Sequence, residues 1–243
     1  MFQSMNLKNK FQGYEAWYNR GYELYMLGKF EDALTYYEKA IEIQPNFYMA
    51  WYGKGIILSK LNKLEKALIS INKSLEIEPL SYLSWYIHGD ILLRSGRLRE
   101  SVTSFNKAIN IKPLLSDAWF MRGIVLLELE RTDEAFKSFD TVVEIEPLSY
   151  LSWFMRGIVL LELRKFEEAI AAYDKALEIN PLSYEIWHKR GVLLHGMGSV
   201  APYDLRKLEE AVASYDKALF INPNLPYTKQ SRYSALQQIE KLK

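Results

Sequence analysis

Three histidines, His88, His188 and His195, are the side chains of this chain best suited to proton transfer or metal ligation. His188 and His195 lie seven residues apart, two turns along one expected helix, too far for the i, i+4 clamp with which a helix holds a metal. Cysteine is absent, which removes thiol nucleophiles, disulfides and thiolate metal sites together. No paired carboxylates, serine–histidine set or phosphate loop stands out. The string Gly196-Met-Gly198-Ser-Val-Ala201 has the outline of a dinucleotide fingerprint, but that motif works only within a βαβ unit, and its flanks here read as helices. These residues therefore lead to the expectation of no catalytic site, no metal and no cofactor.

The elements that must position any site are set by composition and pattern. Hydrophobic residues make up 49% and charged residues 25% of the chain, which marks a folded protein with enough core material to need no disulfide or metal staple. The 31 basic and 30 acidic residues leave a net charge of +1. They are mixed along the chain, whereas a nucleic-acid binder carries a basic face or block, so no nucleic-acid partner is expected. Residues 1–13 lack the apolar stretch of a secretory signal. No run approaches the roughly 18–20 apolar residues that span a bilayer. The expectation is a cytoplasmic protein without a membrane span.

A single period organises the sequence. Trp17, Trp51, Trp85, Trp119, Trp153 and Trp187 follow one another at intervals of 34 residues. Four residues after each comes a glycine: Gly21, Gly55, Gly89, Gly123, Gly157 and Gly191. Pro45, Pro79, Pro113, Pro147 and Pro181 lie 28 residues after the first five tryptophans, and the sixth proline, Pro223, comes eight residues late. The sixth segment therefore carries an insertion, placed at 196–203.

Each segment reads as two helices. In the fifth, Trp153, Gly157, Leu160 and Leu161 form one apolar stripe, and Phe166, Ala169, Ile170, Tyr173, Ala176 and Leu177 form a second beyond the polar turn at Arg164-Lys165. Pro181 ends the second helix by disfavouring the α conformation before it, and Ser183 stands where a hydroxyl would cap the next. Gly157 and Ala169 mark a close approach of the paired helices. Ala33, Ala67, Ala135 and Ala211 repeat the second of these, with Ser101 the polar exception. The tryptophan is expected to be the large buried body between helices, worth about 3–5 kcal/mol on truncation.

This spacing resembles the tetratricopeptide repeat from Tyr14 to about Asn224, carried in the first segment by Trp17, Gly21, Gly28, Phe30, Ala33, Tyr37, Ala40 and Pro45. The pentatricopeptide repeat fits less well, with a usual period of 35 and no such Trp–Gly–Pro set. The resemblance implies an all-α fold, an alpha-alpha superhelix: a right-handed solenoid of antiparallel helix pairs. The expected organisation is a lead-in at 1–13, repeats at 14–47, 48–81, 82–115, 116–149, 150–183 and 184–225, and a capping helix at 226–243, all in one solenoid domain. On that last helix Tyr233, Leu236, Ile239 and Leu242 make a single apolar stripe. One departure from the family pattern stands out. The residue before each glycine is Arg20, Lys54, His88, Arg122, Arg156 or Arg190, and the residue after each second-helix aromatic site is Glu38, Asn72, Asn106, Asp140, Asp174 or Asp216. Wherever the first is arginine the second of that repeat is acidic, which predicts a ladder of Arg–carboxylate contacts between helices.

The resemblance also implies a concave surface lined by the first helix of each pair. The residues one and five after each tryptophan would face it: Tyr18 and Tyr22, Tyr52 and Ile56, Tyr86 and Asp90, Phe120 and Ile124, Phe154 and Ile158, His188 and Val192. Two residues before the tryptophan, Leu83 and Leu151 would join them, as would Glu15, Met49, Asp117 and Glu185. Such an aromatic-lined surface marks an interaction site and implies a protein scaffold or adaptor that holds an amphipathic helix or an apolar peptide. The lysine and asparagine with which some family members grip a chaperone's terminal carboxylate are replaced here by Tyr18 and Tyr22. The alternative is a self-associating building block, a homo-oligomer.

Overall fold

The computed structural model describes residues 2–243 apart from Ala201, with side chains from Gly13 onward. Among the described residues it contains thirteen α-helices and no strand. They fall into two compact units, Met1–Leu129 and Glu130–Lys243. The first unit holds α1 (Phe2–Met26), α2 (Phe30–Ile43), α3 (Tyr48–Lys60), α4 (Leu64–Ile77), α5 (Tyr82–Arg94), α6 (Leu98–Ile111) and α7 (Ser116–Glu128). The second holds α8 (Thr132–Ile145), α9 (Tyr150–Glu162), α10 (Phe166–Ile179), α11 (Tyr184–Gly198), α12 (Leu205–Ile221) and α13 (Pro226–Leu242). Within each unit, helices adjacent in sequence pack against each other. The lead-in is helical from Phe2, continuous with the helix that carries Trp17.

Proline and turn chemistry set the boundaries. The residue before each periodic proline is extended, with ψ between 76° at Glu146 and 101° at Asn222, as the proline ring requires. Its amide still donates to the last helical turn, as Gln44 does to Ala40. Ser81 and Ser149 cap α5 and α9 by accepting from the amides of Ser84 and Ser152. Ser183 holds the same place before α11 but makes no side-chain cap. At the first two sites the capping hydroxyl also bonds the Ser84 or Ser152 hydroxyl, at 2.9 and 2.7 Å; Ile186 offers no such partner. The turns inside the helix pairs carry left-handed residues at the repeat period: Gly28, Asn62, Gly96, Glu130 and Arg164, with φ from 57° to 73°. Only two of the five are glycine, the residue for which this conformation is free of strain.

The core lies between paired helices and is built on glycine. A Cβ at Gly157 would lie 2.5 Å from the Tyr173 ring, one at Gly191 2.7 Å from Tyr215, one at Gly89 2.8 Å from Phe105, and one at Gly55 2.5 Å from Ile71. The large side chain on the second helix thus seats directly on the first helix's backbone. Tyr173, Tyr215, Phe105 and Phe139 are fully buried. Ser101 replaces the usual alanine at no polar cost, because its hydroxyl donates to the Gly89 carbonyl at 2.7 Å.

The tryptophans differ from expectation. All six are only partly buried. Each indole from Trp51 to Trp187 donates its N–H to the carbonyl of the periodic proline six residues earlier, at 2.8–2.9 Å. They pin the turn between successive helix pairs, and the buried body is the second-helix side chain, a ring in α1–α2, α5–α6, α9–α10 and α11–α12 and Ile71 in α3–α4.

The charge ladder is present in a different register. Lys54 pairs with Glu38 at 2.9 Å, Arg156 with Asp140 at 2.8 Å and Arg190 with Asp174 at 2.6 Å. Arg122 donates to Asn106 at 2.7 Å, and Arg232 on α13 pairs with Asp216. Every one of these reaches back 16 residues to the second helix of the preceding pair, so the ladder joins neighbouring pairs. Arg20, on α1, bonds Glu23 on its own helix instead. Arg232 shows that α13 continues the ladder one step past the last repeat. The insertion is partly absorbed into helix: α11 runs to Gly198 and α12 begins at Leu205, capped by the Asp204 carboxylate.

Candidate functional site

The first-helix face of the first unit is rich in tyrosine. Tyr18, Tyr22, Tyr25, Tyr37, Tyr52, Gly53 and Ile56 line a cleft of about 200 Å³ formed by α1, α2 and α3. Tyr37 is its floor, wedged between helices so tightly that a Cβ at Gly53 would lie 2.6 Å from its ring. Tyr18 packs on Tyr37 and on Phe47, with ring centroids 5.6 and 5.2 Å apart. Tyr22 is half exposed at the rim. Burial raises the Tyr18 and Tyr37 phenols and pushes Tyr52 up to about 12. All stay protonated at neutral pH, as hydroxyl donors beside ring faces.

Further along the unit, Tyr86 on α5 packs on Phe105 with centroids 5.8 Å apart. Asp90, one turn on, is partly buried; desolvation raises its carboxyl above the usual range, against the pull of Arg94 and Lys60. Leu83 is exposed, while Phe120 and Ile124 on α7 are partly buried.

In the second unit, Phe154, Tyr184, Glu185, His188, Lys189, Leu225, Pro226, Tyr227 and Thr228 enclose a cleft of about 340 Å³ between α9, α11 and the start of α13. Phe154 lies on Tyr173, centroids 5.9 Å apart. His188 packs at a tilt against Tyr215 and bonds the Thr228 hydroxyl through Nδ1 at 3.0 Å. Burial lowers its pKa, helped by Lys189. Leu151 and Val192 are exposed on the same two first helices, and Ile158 packs against the core.

The structure thus brings Tyr18, Tyr22, Tyr52 and Ile56 into one cleft and Phe154 and His188 into another. Leu83, Tyr86, Asp90, Phe120, Ile124, Leu151, Ile158 and Val192 lie outside both. The sequence reading missed Tyr25, though it stands three residues after Tyr22 and so on the same helix face. It also missed Tyr184, Lys189 and the wall at 225–228, which is formed by the N-cap and first turn of α13 and has no periodic counterpart.

The three histidines are each engaged separately. His88 Nδ1 bonds Ser104 at 2.8 Å, and His195 Nε2 bonds Gln238 at 3.1 Å. No group of three or more His, Asp or Glu side chains among the described residues is placed to hold a metal. No helix among them is long and apolar enough to cross a membrane.

Models described as "Tetratricopeptide repeat" match residues 14–47, 36–69 and, in overlapping copies, 86–150, 120–184 and 154–226. The chain belongs to the tetratricopeptide repeat family. Its fold class is accordingly the all-α, alpha-alpha superhelix class of stacked helix pairs. Solved tetratricopeptide-type structures resemble it at low identity. The structure titled "Crystal structure of YrrB: a TPR protein with an unusual peptide-binding site" is 23% identical, with a TM-score of 0.70, over 81% of this chain and 97% of that one. PilF of Pseudomonas aeruginosa is 15% identical, with a TM-score of 0.75, over 93% and 99%. A tetratricopeptide repeat protein from Parabacteroides merdae is 17% identical, with a TM-score of 0.66, over 93% and 99%. No curated protein matches the chain.

Proposed function

We propose that this tetratricopeptide repeat chain is a non-enzymatic adaptor that holds a partner protein on its first-helix faces, through an amphipathic helix or an extended apolar segment. One observation carries the reading: ring faces and aliphatic side chains at matching helix positions stay partly exposed and gather into clefts, where a core would have closed over them. Tyr18, Tyr22, Tyr52 and Ile56 do so in the first unit, and Phe154 in the second. Aromatic side chains in such places supply large contact area at small entropic cost. That the YrrB structure is titled for a peptide-binding site supports a peptide as ligand class. A cytoplasmic location goes with this reading.

Capture of partners from native extract tests it, comparing wild type with a Tyr22→Glu, Leu151→Glu double variant. Both residues are at least 43% exposed, so the substitutions leave the core intact. A partner held by wild type and lost by the variant supports the proposal; one held equally by both removes these faces as its site.

Self-association is the second reading, favoured by Leu80, Leu114, Leu148 and Leu182, which sit 72–82% exposed in the turns after the periodic prolines. Sedimentation showing a strict monomer at about 50 μM, where even a weak micromolar contact would populate a dimer, excludes it.

A further inference from the structure

Asp90 is the only carboxylate among the residues one and five after the tryptophans. It stands on α5 at the place that Ile56 holds on α3 and Tyr22 on α1. It is partly buried, and among the described residues it has no hydrogen-bond or ion-pair partner. The nearby Arg94 is committed elsewhere: its guanidinium donates to the Ser59 carbonyl at 3.0 Å and the Ser59 hydroxyl at 2.6 Å, and reaches the Asn62 side chain. Lys60 acts on Asp90 only through its field. An unpaired, half-desolvated carboxylate on that helix face costs stability, and a cost of that kind points to a binding role.

The tyrosine cleft beside it offers no competing positive charge. No cation lines the tyrosine cleft, and the faces of its rings are the negative ends of their quadrupoles. Tyr86 links the cleft to the carboxylates: the Tyr52 phenol feels Tyr86, and the Tyr86 phenol feels Asp90 and Asp117. Rings without competing cations, leading to an unpaired carboxylate, complement a positive side chain.

We propose that the first-helix face of the first unit takes a basic peptide segment, with one lysine or arginine among the rings of Tyr18, Tyr22 and Tyr52 and a second paired to Asp90. The inference rests on the reading of these faces as the binding surface and narrows the partner's chemistry. Such a segment would be extended, since its two cationic groups fall on successive first helices.

Fluorescence anisotropy with the full chain tests it at physiological salt. The probes are labelled nine-residue peptides that alternate glycine with lysine, glycine with glutamate, or serine with leucine. The lysine peptide should bind about 10-fold more tightly than the glutamate peptide. Asp90→Asn should weaken it about 5-fold and Tyr22→Ala about 3-fold, while the thermal midpoint of Asp90→Asn is no lower than that of wild type. Equal binding of the lysine and glutamate peptides overturns the proposal, as does lysine-peptide binding that is indifferent to Asp90→Asn. If the leucine peptide binds best and ignores Asp90→Asn, the preference for cations is refuted and the apolar binding face stands. If no peptide binds, the basic-segment proposal is overturned, and capture on the Tyr22→Glu, Leu151→Glu variant separately decides whether these faces bind anything.

Discussion

Replacing Gly157 and Gly196 with alanine, one at a time, should move stability in opposite directions. Both lie inside helices, α9 and α11, so each substitution gains about 1 kcal/mol of helix propensity. At Gly196 nothing lies within 4 Å of the new methyl, and the gain survives. At Gly157 the methyl would lie 2.5 Å from Tyr173 Cε1 and 2.6 Å from Cδ1, an ångström inside ordinary carbon contact. The ring cannot swing away, because Tyr173 is fully buried. Relief requires the two helices to part, an overpacking cost of about 2–3 kcal/mol. The net expectation is about 1–2 kcal/mol of destabilisation for Gly157→Ala and 0.5–1 kcal/mol of stabilisation for Gly196→Ala. For a chain of this size that corresponds to a fall of about 2–8 °C and a rise of about 1–4 °C in thermal midpoint. Thermal and urea unfolding followed by circular dichroism read both. Repeat arrays unfold in parts, so the comparison uses the transition that each variant shifts. A Gly157→Ala variant as stable as wild type would refute the claim that these glycines exist to seat the second-helix ring.

Three further outcomes follow from other parts of the structure. In double-mutant cycles, Arg156 should couple to Asp140 by about 0.5–1 kcal/mol, modest because Asp140 is well exposed. Its coupling to Asp174, in its own repeat, should be near zero; the reverse would restore the register expected from sequence. Arg164→Gly should stabilise by about 1 kcal/mol in chemical denaturation, since Arg164 holds φ at 59°, whereas no gain would mean that its side chain makes contacts worth as much. The pH dependence of Asp90→Asn has a fixed sign. Burial raises the folded carboxyl above its unfolded value, so the stability that Asp90 contributes is present below the unfolded pKa and lost as pH rises through the folded one. Asp90→Asn should therefore be more stable than wild type at pH 7 and lose that advantage toward pH 3; an advantage independent of pH would contradict the assignment.

Much of the fold is legible in the sequence, because Trp, Gly and Pro mark the same three points of a helix pair again and again. What the period hides is register. A residue at a fixed place in one repeat is 18 residues from its partner site in the same pair and 16 from the one in the pair before, as Arg156 is from Asp174 and Asp140. Both fit a helical pattern, and only the packing of α8 against α9 selects the second. The tryptophans mislead for a different reason. Their size suggests burial, but the indole N–H needs an acceptor and finds it in the proline carbonyl at the edge of the turn. Tyr25 was readable, since it extends the Tyr18–Tyr22 stripe by another turn. The wall that α13 adds beside His188 was not, because it arises where the period stops.

The central claim is that the first-helix faces hold the partner. A photo-crosslinking residue at position 22 and, separately, at Lys39, which lies over Trp17 outside the cleft, tests it in native extract. A covalent adduct to one protein from position 22, absent from position 39, is the result expected here. The same adduct from position 39 and none from position 22 would contradict it and place the partner on another surface.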